Sequence, residues 1–428
     1  MNQLFTTTYW RTHTIQLTLL IVSILIIAVL KAVQEANTQD VHGDIYIFWS
    51  AGVNFIEGNG LYSRIGGAEE FLYPPFAPLV FQLLGLMPFP VAVGVFTFFN
   101  FMAWLGLLRL SYLILRYYFP SANLAPALAV GFVATIRYFW HNIIWVNINE
   151  LVALLSLGGV YLYLRGRQTT ALLLLTMATW LKVMPALLIL LFFIRKPVPT
   201  LLKTIVFSAL IFATVLMMRG VNRGYQDYVD FWQITLLPFL QAGKIYTDSI
   251  SFSLPSMLGK LLTSAGNAYN NHAYNIVDWH VPIVRRISLA AQLLVFGLTF
   301  WRAWVSRHLA VVPLSVIVLV YLTMLLVSGV TWEGHFVTMV LTIPATYQLL
   351  TVTSQLKTRR VVVWVSVLIG LMIFDTIGPT LYDYSQGFSL LSYLAIGLYG
   401  LILRLDTNKR GPATEVTEPR QKQNPVIA

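Results

Sequence analysis

Three side chains in this sequence are of a type that their neighbourhood does not explain. Asp44 follows the first long apolar run and is succeeded by Phe48, Trp49, Gly52 and Gly58, then Leu61-Tyr62 and Leu72-Tyr73-Pro74-Pro75. A carboxylate in an aromatic setting at a membrane surface can take a proton from an attacking hydroxyl late in a transition state, and its pKa need not rise much to do so. Lys182 interrupts the apolar stretch 169–194. An ammonium in apolar sequence is expensive and marks function by default. His335 opens another apolar run after Trp332-Glu333-Gly334. An imidazole there can donate to a phosphate, and a helix amino terminus adds a favourable field. Each residue also has a plainer use. Asp44 can cap a helix, Lys182 can snorkel to headgroups, and His335 can be a satisfied interfacial histidine.

Arg137, His141, Asn147, Asn149 and Glu150 gather round one turn, where Asn147 and Asn149 either line a polar cavity or cap helices. His42-Gly-Asp44 offers two metal-type ligands with no third nearby, so no metal and no cofactor are expected. The chain contains no DxD, no phosphate-binding glycine loop, no Ser-His-Asp signature and no HExxH.

The elements that must position these residues follow from composition. The chain has 428 residues, 57% of them hydrophobic and 11% charged, against about 25% charged in a soluble domain. About a dozen spans of about 20 residues would use nearly all of the apolar positions. A soluble globular protein and a disordered one are both excluded. The expected fold is all-α and polytopic, with about 12 transmembrane helices, in one catalytic-size domain over residues 1–405 and a disordered cytoplasmic tail over 406–428. The absence of cysteine removes disulfides, iron–sulfur clusters and a thiol nucleophile. The net charge of +11 points to cytoplasmic loops rather than to nucleic acid, for which no reading motif is present.

Apolar runs occupy 15–33, 122–138, 150–164, 200–218, 287–305, 309–329, 336–352, 361–378 and 388–404. Pro88-Phe-Pro90 breaks 74–113, which is taken to cross once. If 169–194 is a hairpin of two short helices with Lys182 at its tip, then Arg109, Arg116, Arg165, Arg167, Arg195, Lys196, Lys203, Arg302, Arg307, Lys357, Arg359, Arg360, Lys409 and Arg410 all lie on one side. As a single span, 169–194 would break that pattern. The positive-inside rule therefore predicts the hairpin, with both termini cytoplasmic. The segments 34–75, 138–149 and 219–286 and short turns near 330–335 and 379–387 then face outward. The aromatic loops 34–75 and 219–286 are expected to hold interfacial helices.

Taken in order, these pieces resemble glycosyltransferase family 87. The matching residues are Asp44, Gly58-Asn-Gly60-Leu61-Tyr62, Tyr73-Pro74-Pro75, Val146-Asn147-Ile148-Asn149-Glu150 and Ala178-Thr-Trp-Leu-Lys182-Val-Met-Pro185, followed by Ser328-Gly-Val-Thr-Trp332-Glu-Gly-His335 with one extra residue before Trp332. Ser251-Phe252-Ser253-Leu254-Pro255 stands near the family's Asn-Gln-Ser-Leu element, with Lys260 where the family has Arg. The resemblance covers about residues 40–350.

The resemblance implies a GT-C multispan fold and a polyprenyl-phosphate-sugar donor, with mannose the first choice of sugar. It implies a glycolipid or glycan acceptor and a site facing outward from the plasma (inner) membrane, among membrane lipids. Asp44 would be the general base, and Lys182 and His335 would hold the donor phosphate. Tyr62, Tyr73, Asn147, Asn149 and Trp332 would serve the sugar or the acceptor. The rival expectation is a multispan transporter or lipid-linked-sugar flippase, which would ordinarily show inverted repeats and binding groups at mid-membrane. A scaffolding subunit is the third.

Overall fold

The computed structural model describes residues 14–37, 43–62, 71–237, 245, 247, 250–264 and 274–405. The tail 406–428 and His42 lie outside the described residues, and with them the expectations placed there. Among the described residues there are seventeen α-helices and no strand. The first nine are α1 (Thr14–Asn37), α2 (Asp44–Glu57), α3 (Phe76–Gly85), α4 (Phe89–Tyr118), α5 (Ala125–Trp145), α6 (Asn149–Leu164), α7 (Gln168–Leu181), α8 (Ala186–Arg195) and α9 (Pro197–Arg219). They are followed by α10 (Val221–Asp230), α11 (Leu254–Leu262), α12 (Val281–Val305), α13 (Leu314–Val327), α14 (Met339–Val352), α15 (Leu356–Leu371), α16 (Phe374–Gly387) and α17 (Leu390–Arg404).

The protein is a polytopic, all-helical membrane protein. Six of its helices are long and apolar enough to cross a bilayer alone, or seven if the bent pair α15–α16 counts as one. Six further apolar helices have 10–17 residues. The shorter ones need protein around them, because backbone ends cannot face lipid. α13 meets that condition, with every residue from Leu314 to Leu326 buried. At the periphery the pattern reverses: Met217 of α9 is 75% exposed and Leu294 of α12 is 61% exposed, as a lipid-facing surface requires.

Local chemistry sets the boundaries near the site. α2 starts with Asp44, whose charge suits the positive end of the helix, and ends at Gly58 in the left-handed region (φ 79). α2 and α3 pack backbone to backbone. A Cβ on Gly52 would lie 2.3 Å from the Phe81 carbonyl oxygen, and one on Gly85 would lie 2.6 Å from the Val53 nitrogen, so only glycine permits the approach. α7 stops at Lys182, whose backbone is extended, and Pro185 precedes α8.

The pair α7–α8 goes out and comes back. Lys182 reaches Asn149 at the start of α6, whereas Phe192 of α8 stacks on Tyr163 at the end of α6, centroids 3.6 Å apart. Arg195 then donates to the carbonyls of Ser306 and Leu309, beyond α12. The stretch 169–194 is therefore two helices with Lys182 at the bend.

Two boundaries differ from the sequence expectation. The run expected to end at 138 continues as α5 to Trp145, so Arg137 and His141 lie in a helix and only 146–148 form the turn. The stretch 379–387, expected as a turn, belongs to α16, which leaves α15 at 109°. The break falls between Leu371 and Thr376, and Gly378 (φ 76) with Pro379 puts a further kink inside α16, since neither suits a continuous helix.

Candidate active site

The turn between α5 and α6 is the centre of the polar site. Val146 takes a left-handed conformation (φ 51), unusual for a β-branched residue and costing about 1–3 kcal/mol. The turn is held from both sides. The Asn147 backbone N–H bonds to the Asn142 carbonyl at 3.0 Å, and the Asn100 side chain donates to the Asn147 carbonyl at 2.8 Å. So fixed, the Asn147 side-chain amide donates to Asp44 Oδ2. Asp44 is itself buried at the first residue of α2.

One residue pair further on, Asn149 accepts a hydrogen bond from Lys182 Nζ at 2.7 Å. Asn149 donates to Asn142 Oδ1 at 2.9 Å, and Asn142 donates to the Gly334 carbonyl at 3.0 Å. Lys182 lies in the electrostatic field of both Asp44 and Glu150, and His335 lies in that of Lys182. Its ammonium is also 5.5 Å from the Tyr73 ring centroid, a cation–π distance. Asp44, Lys182 and His335, the first and last 291 residues apart, thus belong to one neighbourhood.

His335 sits in the 3-10 turn Glu333–Thr338. Its Nδ1 is 2.7 Å from the Trp332 backbone nitrogen. A backbone N–H can only donate, so Nδ1 accepts, and a neutral imidazole then carries its proton on Nε2. His335 is thereby set as a donor through Nε2. Trp332 is half-buried beside it, rings 6.2 Å apart. Tyr73 lies against the site, whereas Tyr62 stands behind it. The Tyr62 hydroxyl donates to the Tyr73 carbonyl at 2.7 Å, and its ring packs on Phe71 and Phe231.

Glu333 has a separate role that residue types alone did not reveal. Arg137 meets its two oxygens at 2.5 and 3.1 Å, and the Tyr382 hydroxyl donates to Oε2 at 2.8 Å. Arg137 also donates to the Ile369 carbonyl at 3.2 Å. This buried pair ties α5, the 3-10 turn and α16 together. Removing one partner of such a pair strands a charge and typically costs about 3–5 kcal/mol. Arg137→Ala is accordingly expected to lower the melting temperature in detergent sharply, and Arg137→Met combined with Glu333→Leu to recover much of it. An unchanged melting temperature for the single variant would mean that the pair carries no stability.

Glu150 is fully buried in the first turn of α6, where its carboxylate interacts with the Asn142 side chain and its own backbone amide without a well-aligned hydrogen bond among the described residues. Also among the described residues, no three His, Asp or Glu side chains converge in a metal-binding group. Asn100 and Asn142 were not singled out from the sequence. Each is a carboxamide buried in an apolar helix, which is costly unless bonded, and that cost was the available signal.

An all-helical membrane protein with a carboxylate, an ammonium and an imidazole gathered at one end of its helices defines a class: a membrane protein with a built polar site among its spans. The model of glycosyltransferase family 87 matches residues 71–329, more than half of the chain. The chain belongs to glycosyltransferase family 87 and is a glycosyltransferase. Tyr73, Asn147, Asn149 and Lys182 lie inside the matched region, and Asp44, Tyr62, Trp332 and His335 lie outside it. No curated protein matches the chain.

Proposed function

We propose that this glycosyltransferase moves a hexose or pentose, mannose first among them, from a polyprenyl-phosphate donor to an acceptor hydroxyl at the outer face of the plasma (inner) membrane. The observation that carries the reading is that Asp44, bonded to Asn147, and Lys182, bonded to Asn149, share one electrostatic neighbourhood with His335. The acceptor oxygen attacks the anomeric carbon, and the bond from that carbon to the lipid-phosphate oxygen breaks. Asp44 takes the hydroxyl proton. Lys182 and the Nε2–H of His335 face the charge that grows on the departing phosphate, which is electrostatic stabilisation of oxyanion type. One base and one displacement invert the anomeric centre. No metal or cofactor enters this scheme. Tyr73, Trp332, Asn147 and Asn149 border the sugar and acceptor, and Tyr62 supports Tyr73. The acceptor is a glycolipid or glycan.

The reading is tested with purified protein in liposomes, offered labelled sugar on polyprenyl phosphate or on a nucleoside diphosphate. Transfer from the lipid-linked donor alone, unaffected by a chelator, is expected. Transfer from the nucleotide donor alone would overturn it.

The basic residues support the proposed orientation. Arg116, Arg165, Arg195 and Arg302 belong to the end of the helices away from Lys182, which supports a cytoplasmic assignment for that end. The absence of native cysteine permits single-cysteine labelling. A cysteine at position 183 should react with an impermeant reagent added outside, and one at 198 should not. The opposite result would reverse the orientation.

A further inference from the structure

The hydrogen bonds that join Lys182 to the His335 turn have a fixed direction. An ammonium can only donate, so the Asn149 atom facing Lys182 at 2.7 Å is its carbonyl oxygen. The Asn149 amide nitrogen must then face Asn142, whose carbonyl oxygen accepts at 2.9 Å. That leaves the Asn142 amide nitrogen for the Gly334 carbonyl at 3.0 Å, one residue before His335. Neither amide can flip without breaking two bonds at once, and aligned bonds in a buried chain polarise one another. The space is equally constrained. A Cβ at Gly334 would stand 2.0 Å from Asn142 Oδ1 and 2.8 Å from Asn149 Nδ2, so glycine alone lets the turn close on both amides.

We propose that Asn142, with Gly334 as its seat, is a positioning residue that sets the Lys182 ammonium and the His335 imidazole at the separation a lipid phosphate requires. The two groups come from different parts of the chain, the α7–α8 bend and the 3-10 turn after α13. Asn142 at 0% exposure is the side chain whose two ends serve both. It donates no bond to substrate. It keeps one phosphate-facing group from drifting relative to the other, so that both engage a single anion. This inference rests on the reading of Lys182 and His335 as donor-phosphate residues.

The probe is polyprenyl phosphate itself, the leaving group, whose binding needs no acceptor and no turnover. Asn142→Asp keeps the shape and the acceptor toward Asn149 but cannot donate to Gly334. It is expected to weaken polyprenyl-phosphate binding by about ten- to hundred-fold, the scale of a lost hydrogen bond to a charged network. The distinguishing readout is coupling. In the parent protein Lys182→Ala and His335→Ala should lose less together than the product of their separate losses. In the Asn142→Asp background the losses should become multiplicative, because the two groups no longer share one geometry. Asn149→Asp, which keeps an acceptor for Lys182 and removes the donor to Asn142, should behave likewise, and it carries the test if Asn142→Asp does not fold.

Unchanged affinity, or reduced affinity with coupling intact, would overturn the positioning role and leave Asn142 as packing. If the parent protein does not bind polyprenyl phosphate at all, the donor-phosphate reading fails instead, and the two failures are distinct.

Discussion

Asp44→Asn is expected to slow transfer by about 10²–10⁴-fold, the usual cost of a missing general base, while folding and donor binding survive. The conservative outcome for structure follows from the contacts. Asp44 accepts from the Asn147 amide through Oδ2, and an asparagine at 44 retains one carbonyl oxygen for that bond. The α2 start loses a charge near its positive end, worth up to about 2 kcal/mol in a partly buried setting. The rate and the stability therefore separate. Initial rates at saturating acceptor, beside polyprenyl-phosphate binding and a melting curve, check the three together. Near-normal turnover would move the base elsewhere. Glu333 is a poor substitute, because both of its oxygens are occupied by Arg137 and one also by Tyr382. Glu150 would be the remaining buried carboxylate within the field of Lys182.

Lys182→Ala should lose more than His335→Ala, although both lose transfer. On the proposed reading each removes a hydrogen bond to a phosphate that carries about one negative charge, and such bonds contribute roughly 1.5–3 kcal/mol, or about one to two decades in rate or affinity. Lys182 has further duties. Its removal leaves Asn149 Oδ1 without its 2.7 Å donor and leaves Asp44 and Glu150 without the cation in their shared field. Lys182→Arg should recover part of the loss, since it retains charge but presents a wider, planar fork. The double alanine variant should lose less than the product of the singles. Initial rates against donor concentration for the four variants decide the matter. Full activity in either alanine variant would return that residue to a structural role.

Much of the architecture is legible in the chain because apolar runs and breakers are local signals. Pro88 divides α3 from α4, and Lys182 to Pro185 divides α7 from α8, as charge sidedness required. Apolar content and charge sidedness predict about twelve crossings, whereas six helices are long and apolar enough to cross unaided. The difference lies in helices such as α13, which protein rather than lipid surrounds. What stayed hidden is pairing at a distance. Arg137 and Glu333 are 196 residues apart, and nothing in the spacing joins them. Tyr62 was read for its aromatic face, and its hydroxyl bond to Tyr73 gives it a supporting place that only tertiary structure reveals. Asn142 and Asn100 were passed over because a single carboxamide in an apolar helix carries no motif, only a burial cost.

The most direct measurement follows the anomeric carbon. Purified protein in liposomes is given a polyprenyl-phosphate sugar, carbon-13 labelled at that centre and of known configuration, with acceptor. Nuclear magnetic resonance reads the product, and lipid extraction reads the polyprenyl phosphate released. The expected result is a glycoside of opposite configuration, formed with one equivalent of free polyprenyl phosphate and lost in Asp44→Asn. A glycoside of retained configuration would contradict the single displacement with Asp44 as base. Intact donor found on the other leaflet, with no glycoside formed, would contradict polyprenyl-phosphate-sugar transfer and favour a flippase.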